Sequence, residues 1–191
     1  MNRRKAIVRI SLAGAGLVAA VGGYQWYSIA KKPDLAYMEE NKALLAALAE
    51  TIIPATDSPG AKAAGVQDFI VAMVRHCTER KEQNTFITGL KDIQDHCKGK
   101  YGHAYAECTS GEQEAALAHF EEKGKPFGGV AGKVQGRLMG RSFFTMLKAL
   151  TVEGYCTSQP GATQGLAYLY IPGSYKGCMV MTEGQKTWAT N

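Results

Sequence analysis

The sequence predicts an all-α protein, in which a helical bundle of about five helices is followed by a long, irregular C-terminal strap rich in glycine and tyrosine. Three observations lead to this prediction. Apolar residues recur at helical spacing along most of the chain. No stretch alternates between apolar and polar residues, as a half-buried β-strand would. From residue 153 onward, glycine and tyrosine replace the helical pattern.

Two helices are predicted before residue 80. The first covers residues 39–53 and ends at Pro54, which cannot continue a helix, and the turn-forming pair Pro59-Gly60 follows. The second covers residues 66–79. The positions expected to face the core are Leu44, Leu45, Leu48, Ile52 and Ile53 in the first helix, and Val66, Phe69, Ile70, Met73, Val74 and Cys77 in the second.

Three further helices are predicted over residues 84–97, 110–120 and 136–152, with a glycine-rich loop over residues 124–132. Ser110 followed by Gln113 fits a capping box at the start of the middle one. The expected inward positions are Phe86, Ile87, Leu90, Ile93 and Cys97, and in the last helix Leu138, Met139, Phe143, Met146, Leu147 and Leu150. The bundle domain is thus expected to span residues 31–152.

The strap, residues 153–191, has the composition of neither a helix nor a disordered tail. It contains six glycines, two prolines, four tyrosines and one tryptophan, but only four charged side chains. Tyrosine offers a large contact area at a small entropic cost, which suits a binding surface. We therefore expect a partner interface formed by Tyr155, Cys156, Tyr168, Tyr170, Pro172 and Tyr175. The alternative is that the strap only packs on its own bundle.

Residues 1–30 have the order of a bacterial export signal. Arg3 and Arg4 precede an apolar run over residues 10–23, and a small-residue cleavage site follows at residues 28–30. Paired arginines before such a run are typical of the twin-arginine route, which carries folded proteins to the periplasm. The expected location is the outer face of the cytoplasmic membrane. Two alternatives stay open: a signal for the general secretory route, and an uncleaved anchor, which needs about 20 apolar residues.

The formal net charge of +5 belongs mostly to this signal. Residues 1–30 hold four basic and no acidic side chains, which leaves 18 basic against 17 acidic side chains, a net charge of +1, in the rest of the chain. Because binding to a phosphate backbone needs a basic surface, nucleic acid is excluded as a partner.

Five cysteines are present: Cys77, Cys97, Cys108, Cys156 and Cys178. An oxidising compartment favours disulfides, and an odd number leaves one thiol for another chain. Cys97 and Cys108 bracket a short connector and are the expected intrachain disulfide. Cys156 is the expected odd thiol, which bonds to a partner chain or, alternatively, pairs with Cys178. The histidines and cysteines match no common zinc spacing, and there is no C-x-x-C-H for covalent haem.

No catalytic residue is predicted. No serine lies in a G-x-S-x-G sequence, and the glycines at residues 128–132 follow no strand, so they are not a dinucleotide fingerprint. We expect that the chain is not an enzyme by itself and that it binds no metal or cofactor. A stand-alone secreted, disulfide-containing helical binding protein is the competing interpretation.

Two segments together resemble the gluconate 2-dehydrogenase subunit 3 family. The first, residues 49–69, reads AETIIPATDSPGAKAAGVQDF; the second begins with GYCTSQPGA at residue 154 and continues with LAYLYIPGSYKGC up to residue 178. The similarity covers most of residues 35–178. Where relatives often have Tyr-Tyr-Thr-Ser, this chain has Cys156 after Tyr155, so that a thiol replaces an aromatic ring.

The resemblance implies a role without chemistry in this chain. A large subunit of the glucose-methanol-choline type would hold FAD and oxidise a sugar, sugar acid or polyol, and a multihaem cytochrome c subunit would take the electrons. The small (gamma) subunit would carry the export signal for a catalytic subunit that has none. Association with the membrane would be indirect, or made through the N-terminal segment.

Overall fold

Six α-helices, one 3-10 turn and one π-helical turn form the regular structure of the described residues in the computed structural model. The structure describes residues 23, 31–125, 128, 140–171, 173–174, 177–178, 180–181 and 183–189. The helices are α1 (Leu35–Glu40), α2 (Lys42–Ile52), α3 (Val66–Cys77), α4 (Arg80–Tyr101), α5 (Ser110–Gly124) and α6 (Phe143–Thr157). The 3-10 turn Tyr105–Glu107 precedes α5, and the π-helical turn Gly161–Gly165 follows α6.

The all-α prediction is confirmed. Five of the helices in the described part of the chain have more than ten residues, and no β-strand occurs there; a single bridge joins Ala167 to Trp188. None of these helices is long and apolar enough to cross a membrane.

Helix α6 packs against α2, α3, α4 and α5 and so lies at the centre of the bundle. Its inward residues Phe143, Met146, Leu147 and Leu150 are buried, as predicted. The predicted inward face of α4 is also buried over its whole length, from Phe86 to Cys97. Full burial of one large apolar side chain contributes roughly 1.5–3 kcal/mol to the free energy of unfolding. Cys77 was expected in this core but is exposed, because it is the last residue of α3.

The predicted first helix is divided into α1 and α2 at Asn41. The Asn41 side-chain amide donates a 2.8 Å hydrogen bond to the carbonyl oxygen of Tyr37, which satisfies the end of α1. Helix α3 ends at Cys77 and not at residue 79. Its last carbonyl groups are satisfied by the buried side chain of Gln83, whose Nε2 donates to the oxygens of Val74 (2.8 Å) and Arg75 (3.1 Å).

Helix α4 is longer than predicted at both ends and stops only at Gly102, where φ is 81°. A left-handed residue of this kind is a common helix terminator, and glycine adopts it without strain. The capping box of α5 also differs from the prediction by one residue. The Glu112 carboxylate accepts hydrogen bonds of 2.9 Å from both the backbone N–H and the hydroxyl of Thr109, so Thr109 and Glu112 take the roles expected of Ser110 and Gln113.

Helix α6 continues five residues past the predicted end at residue 152. Ser142 caps its start, because the Ser142 Oγ accepts a hydrogen bond from the N–H of Thr145. The predicted positions Leu138 and Met139, most of the loop over 124–132, and the entire export signal except residue 23 lie outside the described residues.

Candidate partner interface

Tyr155 joins the two segments on which the family resemblance rests. Its ring is 7% exposed, and its hydroxyl donates a 2.8 Å hydrogen bond to the carbonyl oxygen of Pro59. One residue earlier, Gly154 lies so close to Phe69 that a Cβ at residue 154 would be 2.7 Å from the ring. The two segments are therefore parts of one packed unit between α3 and α6.

The turn after α6 is built closely around Tyr155. Ser158 Oγ donates to the Tyr155 carbonyl oxygen (2.7 Å) and accepts from the N–H of Gly161 (3.0 Å). A Cβ on Gly161 would lie 1.9 Å from that carbonyl oxygen, and a Cβ on Gly165 would lie 2.5 Å from the Tyr155 hydroxyl. Only glycine allows these approaches, which explains why glycines recur here in a helical turn.

A carboxylate holds the loop that Tyr155 contacts. Glu50 Oε1 accepts a hydrogen bond from the N–H of Ala55 (3.0 Å), and Glu50 Oε2 accepts one from the N–H of Lys62 (2.8 Å). Within this loop, the hydroxyl of Thr56 donates to Asp57, which lowers the pKa of the Asp57 carboxyl, and the charge of Lys186 lowers it further. The positive charge near the end of the strap therefore acts on this loop.

The strap returns to its own starting point. Ala167 N–H donates to the carbonyl oxygen of Thr187 (2.8 Å), and Ala189 N–H donates to that of Ala167 (2.9 Å). Lys186 Nζ donates to the carbonyl oxygen of Gln164 (2.8 Å). The chain between these contacts forms a loop whose two ends are fixed next to the π-helical turn.

The residues inside this loop expose large apolar side chains. Tyr170 is 84% and Ile171 is 73% exposed. The set of exposed large apolar residues in the described part of the chain is Tyr168, Leu169, Tyr170, Ile171, Val180, Met181 and Trp188 in the strap, and Val152 in α6. A concentration of exposed apolar side chains in one segment marks an interaction surface, whereas single ones are ordinary.

The structure separates the residues that the sequence grouped as a partner interface. Tyr168 and Tyr170 are exposed in the loop, and Cys156 is half-buried in the last turn of α6. Tyr155, by contrast, is buried in its own chain, because it lies on the face of α6 that meets Pro59. Pro172 and Tyr175, like Arg3 and Arg4, lie outside the described residues.

The predicted interface leaves out five other exposed apolar residues of the strap: Leu169, Ile171, Val180, Met181 and Trp188. These residues share one sequence signal with the tyrosines, because they belong to the same segment with few charges. The signal is weak, since large apolar side chains are normally assigned to a core.

Cys97 and Cys108 lie side by side in the core as free thiols. They are 0% and 7% exposed, and their sulfur atoms are in hydrogen-bonding contact. Burial, together with the neighbouring Cys108, raises the pKa of the Cys97 thiol to about 11. Cys77 and Cys178 are exposed.

Two histidines stack between α4 and α5. The rings of His96 and His119 are 4.7 Å apart at their centroids and inclined by 13°. Nε2 of His96 is buried without a hydrogen-bond partner. Burial and the charges of His119, Lys100 and Lys123 lower the pKa of His96, so the neutral ring is favoured. Across the described residues, no group of three histidine, cysteine or acidic side chains is arranged to hold a metal ion.

The comparison with protein families identifies one match: the model of the gluconate 2-dehydrogenase subunit 3 family matches residues 39–173. No curated protein and no solved structure shows significant similarity to the chain. The matched range contains the Pro59 loop, α3, α6, the π-helical turn and the exposed run from Tyr168 to Ile171. The packed unit around Tyr155 and the match over most of the chain lead to one conclusion: this protein belongs to the gluconate 2-dehydrogenase subunit 3 family.

Proposed function

We propose that the protein is the non-catalytic small subunit of an exported FAD-dependent dehydrogenase, and that its strap binds the catalytic subunit. The observation that carries this proposal is the loop closed at Ala167 and Trp188, which exposes Tyr170 and Ile171 to solvent. Family membership supports it, since the family takes its name from a subunit of gluconate 2-dehydrogenase.

Apolar side chains that stay in water forgo the free energy that their burial would supply. Removing such surface from water contributes about 25 cal/mol per Å², and one aromatic side chain buries roughly 150–250 Å². The strap carries seven large apolar side chains that are at least 44% exposed, on a loop with fixed ends. Because both ends of this segment are held, ordering it on a partner costs less entropy than ordering a free tail, which suits a lasting subunit contact.

The partner of the strap would be a flavoprotein of the glucose-methanol-choline type that holds FAD and oxidises a sugar, sugar acid or polyol. A multihaem cytochrome c subunit would complete the complex. The substrate pocket and both cofactors would belong to those chains, and this chain would contribute assembly.

Export is the second part of the role. The arginine pair Arg3-Arg4 in the N-terminal segment would direct the assembled pair through the twin-arginine route to the periplasm. The catalytic subunit would cross the membrane bound to this chain.

The assembly proposal is tested by coexpressing this chain, affinity-tagged, with a candidate flavoprotein of the glucose-methanol-choline type. The double variant Tyr170→Glu/Ile171→Glu should stay folded but lose most of the copurified flavoprotein, because two charges would enter an apolar contact. Val152→Glu is the matched control, since Val152 is equally apolar and 44% exposed but lies on α6. Equal recovery of flavoprotein with wild type and the double variant, or a stable monomer of wild type, would contradict the proposal and favour a stand-alone binding protein.

The export proposal is tested in cells with Arg3→Lys/Arg4→Lys. We expect both subunits to remain in the cytoplasm, because twin-arginine recognition requires the paired guanidinium groups. Normal dehydrogenase activity in the periplasm of the variant strain would refute the escort role while leaving the strap interface intact.

A further inference from the structure

The connector between α4 and α5 holds two thiols in a fixed position. Cys97 lies in the last turns of α4, and Cys108 follows the 3-10 turn Tyr105–Glu107. The two sulfur atoms are in contact, and Cys108 Sγ also lies 3.4 Å from the carbonyl oxygen of Ala104, which accepts a hydrogen bond from it.

The surrounding hydrogen bonds prevent this connector from moving freely. The fully buried Tyr105 donates from its hydroxyl to Thr51 Oγ1 (2.9 Å) and from its N–H to Gln94 Oε1 (3.0 Å). Gln113 Nε2 donates to the carbonyl oxygen of Tyr105 (2.9 Å). The connector is thus attached to α2, α4 and α5, and the thiol pair is enclosed by all three.

We propose that Cys97 and Cys108 are a buried disulfide site that closes while the chain folds under oxidising conditions, and that the finished fold then shields the pair, as a disulfide or as a dithiol, from further exchange. The two thiols can form a disulfide because they are hydrogen-bonded to each other. The folded chain shields them because both residues are almost completely buried.

The chemistry needs an oxidant with its own disulfide, such as oxidised glutathione. The thiolate of one cysteine attacks a glutathione sulfur, which forms a mixed disulfide and releases one glutathione thiolate. The second cysteine, after losing its proton to solvent, attacks the protein sulfur of that mixed disulfide and releases the second glutathione. The protein dithiol loses two electrons and two protons, and the glutathione disulfide gains them.

Both steps are hindered in the folded chain. The oxidant has no access to Cys97, which is 0% exposed, and little access to Cys108, which is 7% exposed. The raised pKa of the Cys97 thiol also leaves little thiolate to attack. Exchange must therefore wait for local opening of the connector.

One consequence rests on the proposed function. A chain that crosses the membrane already folded would arrive with Cys97 and Cys108 as a dithiol, whereas a chain that folds after crossing would arrive with the disulfide. The redox state of the pair would then report the compartment in which the chain folded.

The test uses the purified full-length chain with oxidised glutathione as the probe, so it does not depend on any partner or on export. The reduced, denatured chain is refolded with this oxidant, and peptides are mapped without reduction. We expect a peptide linked through Cys97 and Cys108, lighter than its two thiol parts by two hydrogen atoms. We also expect a rise in Tm of roughly 5–10 °C for a loop of this length. If the chain does not refold from full denaturation, the oxidation is done at the denaturation midpoint, where folded and unfolded chains interconvert.

A second measurement adds the same oxidant to the folded, reduced chain. Exposed Cys77 and Cys178 should form mixed disulfides, and Cys97 and Cys108 should react at least about tenfold more slowly, because opening costs free energy. The variant Cys97→Ser should give no linked peptide, and Cys77→Ser should behave as wild type does at the buried pair. Absence of the linked peptide after refolding overturns the proposal. So does reaction of the folded pair at the rate of Cys77. Either result leaves the strap interface untouched.

Discussion

The hydroxyl of Tyr155 donates a 2.8 Å hydrogen bond to the carbonyl oxygen of Pro59, a residue 96 positions earlier in the chain. This contact therefore joins two segments that are far apart in sequence. It fixes the end of α6, and therefore the starting point of the strap, against the loop that follows α2.

Removal of this hydrogen bond should weaken the fold without changing its shape. Tyr155→Phe deletes the donor and leaves the Pro59 carbonyl unpaired, so the free energy of unfolding should fall by about 1 kcal/mol. Tyr170→Phe is the matched control, because the Tyr170 ring is 84% exposed and its change should fall within about 0.5 kcal/mol of zero. Urea denaturation of the two variants gives the comparison, and equal stabilities would show that the contact is not formed in solution.

The turn after α6 should not accept a side chain at residue 161. In Gly161→Ala the new Cβ would meet the Tyr155 carbonyl oxygen at 1.9 Å, so the turn must move, at a cost of roughly 1–3 kcal/mol.

The control for this substitution is Gly111→Ala, in the first turn of α5. No atom lies within 4 Å of the new Cβ there, and the helix should gain up to about 1 kcal/mol. Thermal unfolding separates the two variants. If Gly161→Ala is as stable as Gly111→Ala, the close approach of Gly161 to the Tyr155 carbonyl oxygen does not occur in solution.

Stability should fall in mild acid because of the stacked histidines. The folded state lowers the pKa of His96 below its ordinary 6.5, so the unfolded chain takes up the proton first. By linkage, this contribution to stability is complete above pH 6.5 and is lost as the pH falls through the lowered folded value. The pH dependence of urea unfolding between pH 7.5 and 5 measures this loss.

His96→Phe keeps an aromatic ring in the stack but cannot titrate, so its stability should depend less on pH in that window. His103→Phe is the control at an exposed histidine. If the free energy of unfolding of His96→Phe falls with pH as steeply as that of wild type, protonation of His96 is not the cause of the loss.

Cys156 should form a disulfide with the catalytic subunit. It is half-buried in the last turn of α6, directly before the turn that leads into the exposed part of the strap. Non-reducing electrophoresis of the purified complex should show a crosslinked band that disappears in Cys156→Ser and persists in Cys77→Ser. A complex without such a band, or a Cys156–Cys178 linkage in peptide maps, would reject the intersubunit bond.

The helical pattern predicted the bundle well because burial follows sequence periodicity. The predicted inward faces of α4 and α6 are buried wherever they are described, since neighbouring helices cover them along their length. Helix ends were less predictable, because they depend on single side chains that bond to the backbone and not on periodicity. The Gln83 side chain of α4 completes the end of α3, and Glu50 of α2 accepts hydrogen bonds from the backbone of the loop that follows α2.

The composition of the strap is unusual, but its glycines mislead the prediction of helices. Glycine propensity predicts no helix from residue 153 onward, whereas Gly154, Gly161 and Gly165 lie in helical turns that pack on Phe69 or Tyr155. Propensity counts the cost of glycine in a helix and not the contacts that a missing side chain permits. The same packing drew Tyr155 into the core.

The closure of the strap at Ala167 and Trp188 has a consequence for how such subunits diversify. When the two ends of a segment meet, the length and the sequence between them can change without a change in the helices on which the segment lies. Each doubling of the loop length raises the entropic cost of closing the loop by only about 0.6 kcal/mol. Exchange of roughly twenty residues would then adapt one helical scaffold to a different catalytic subunit.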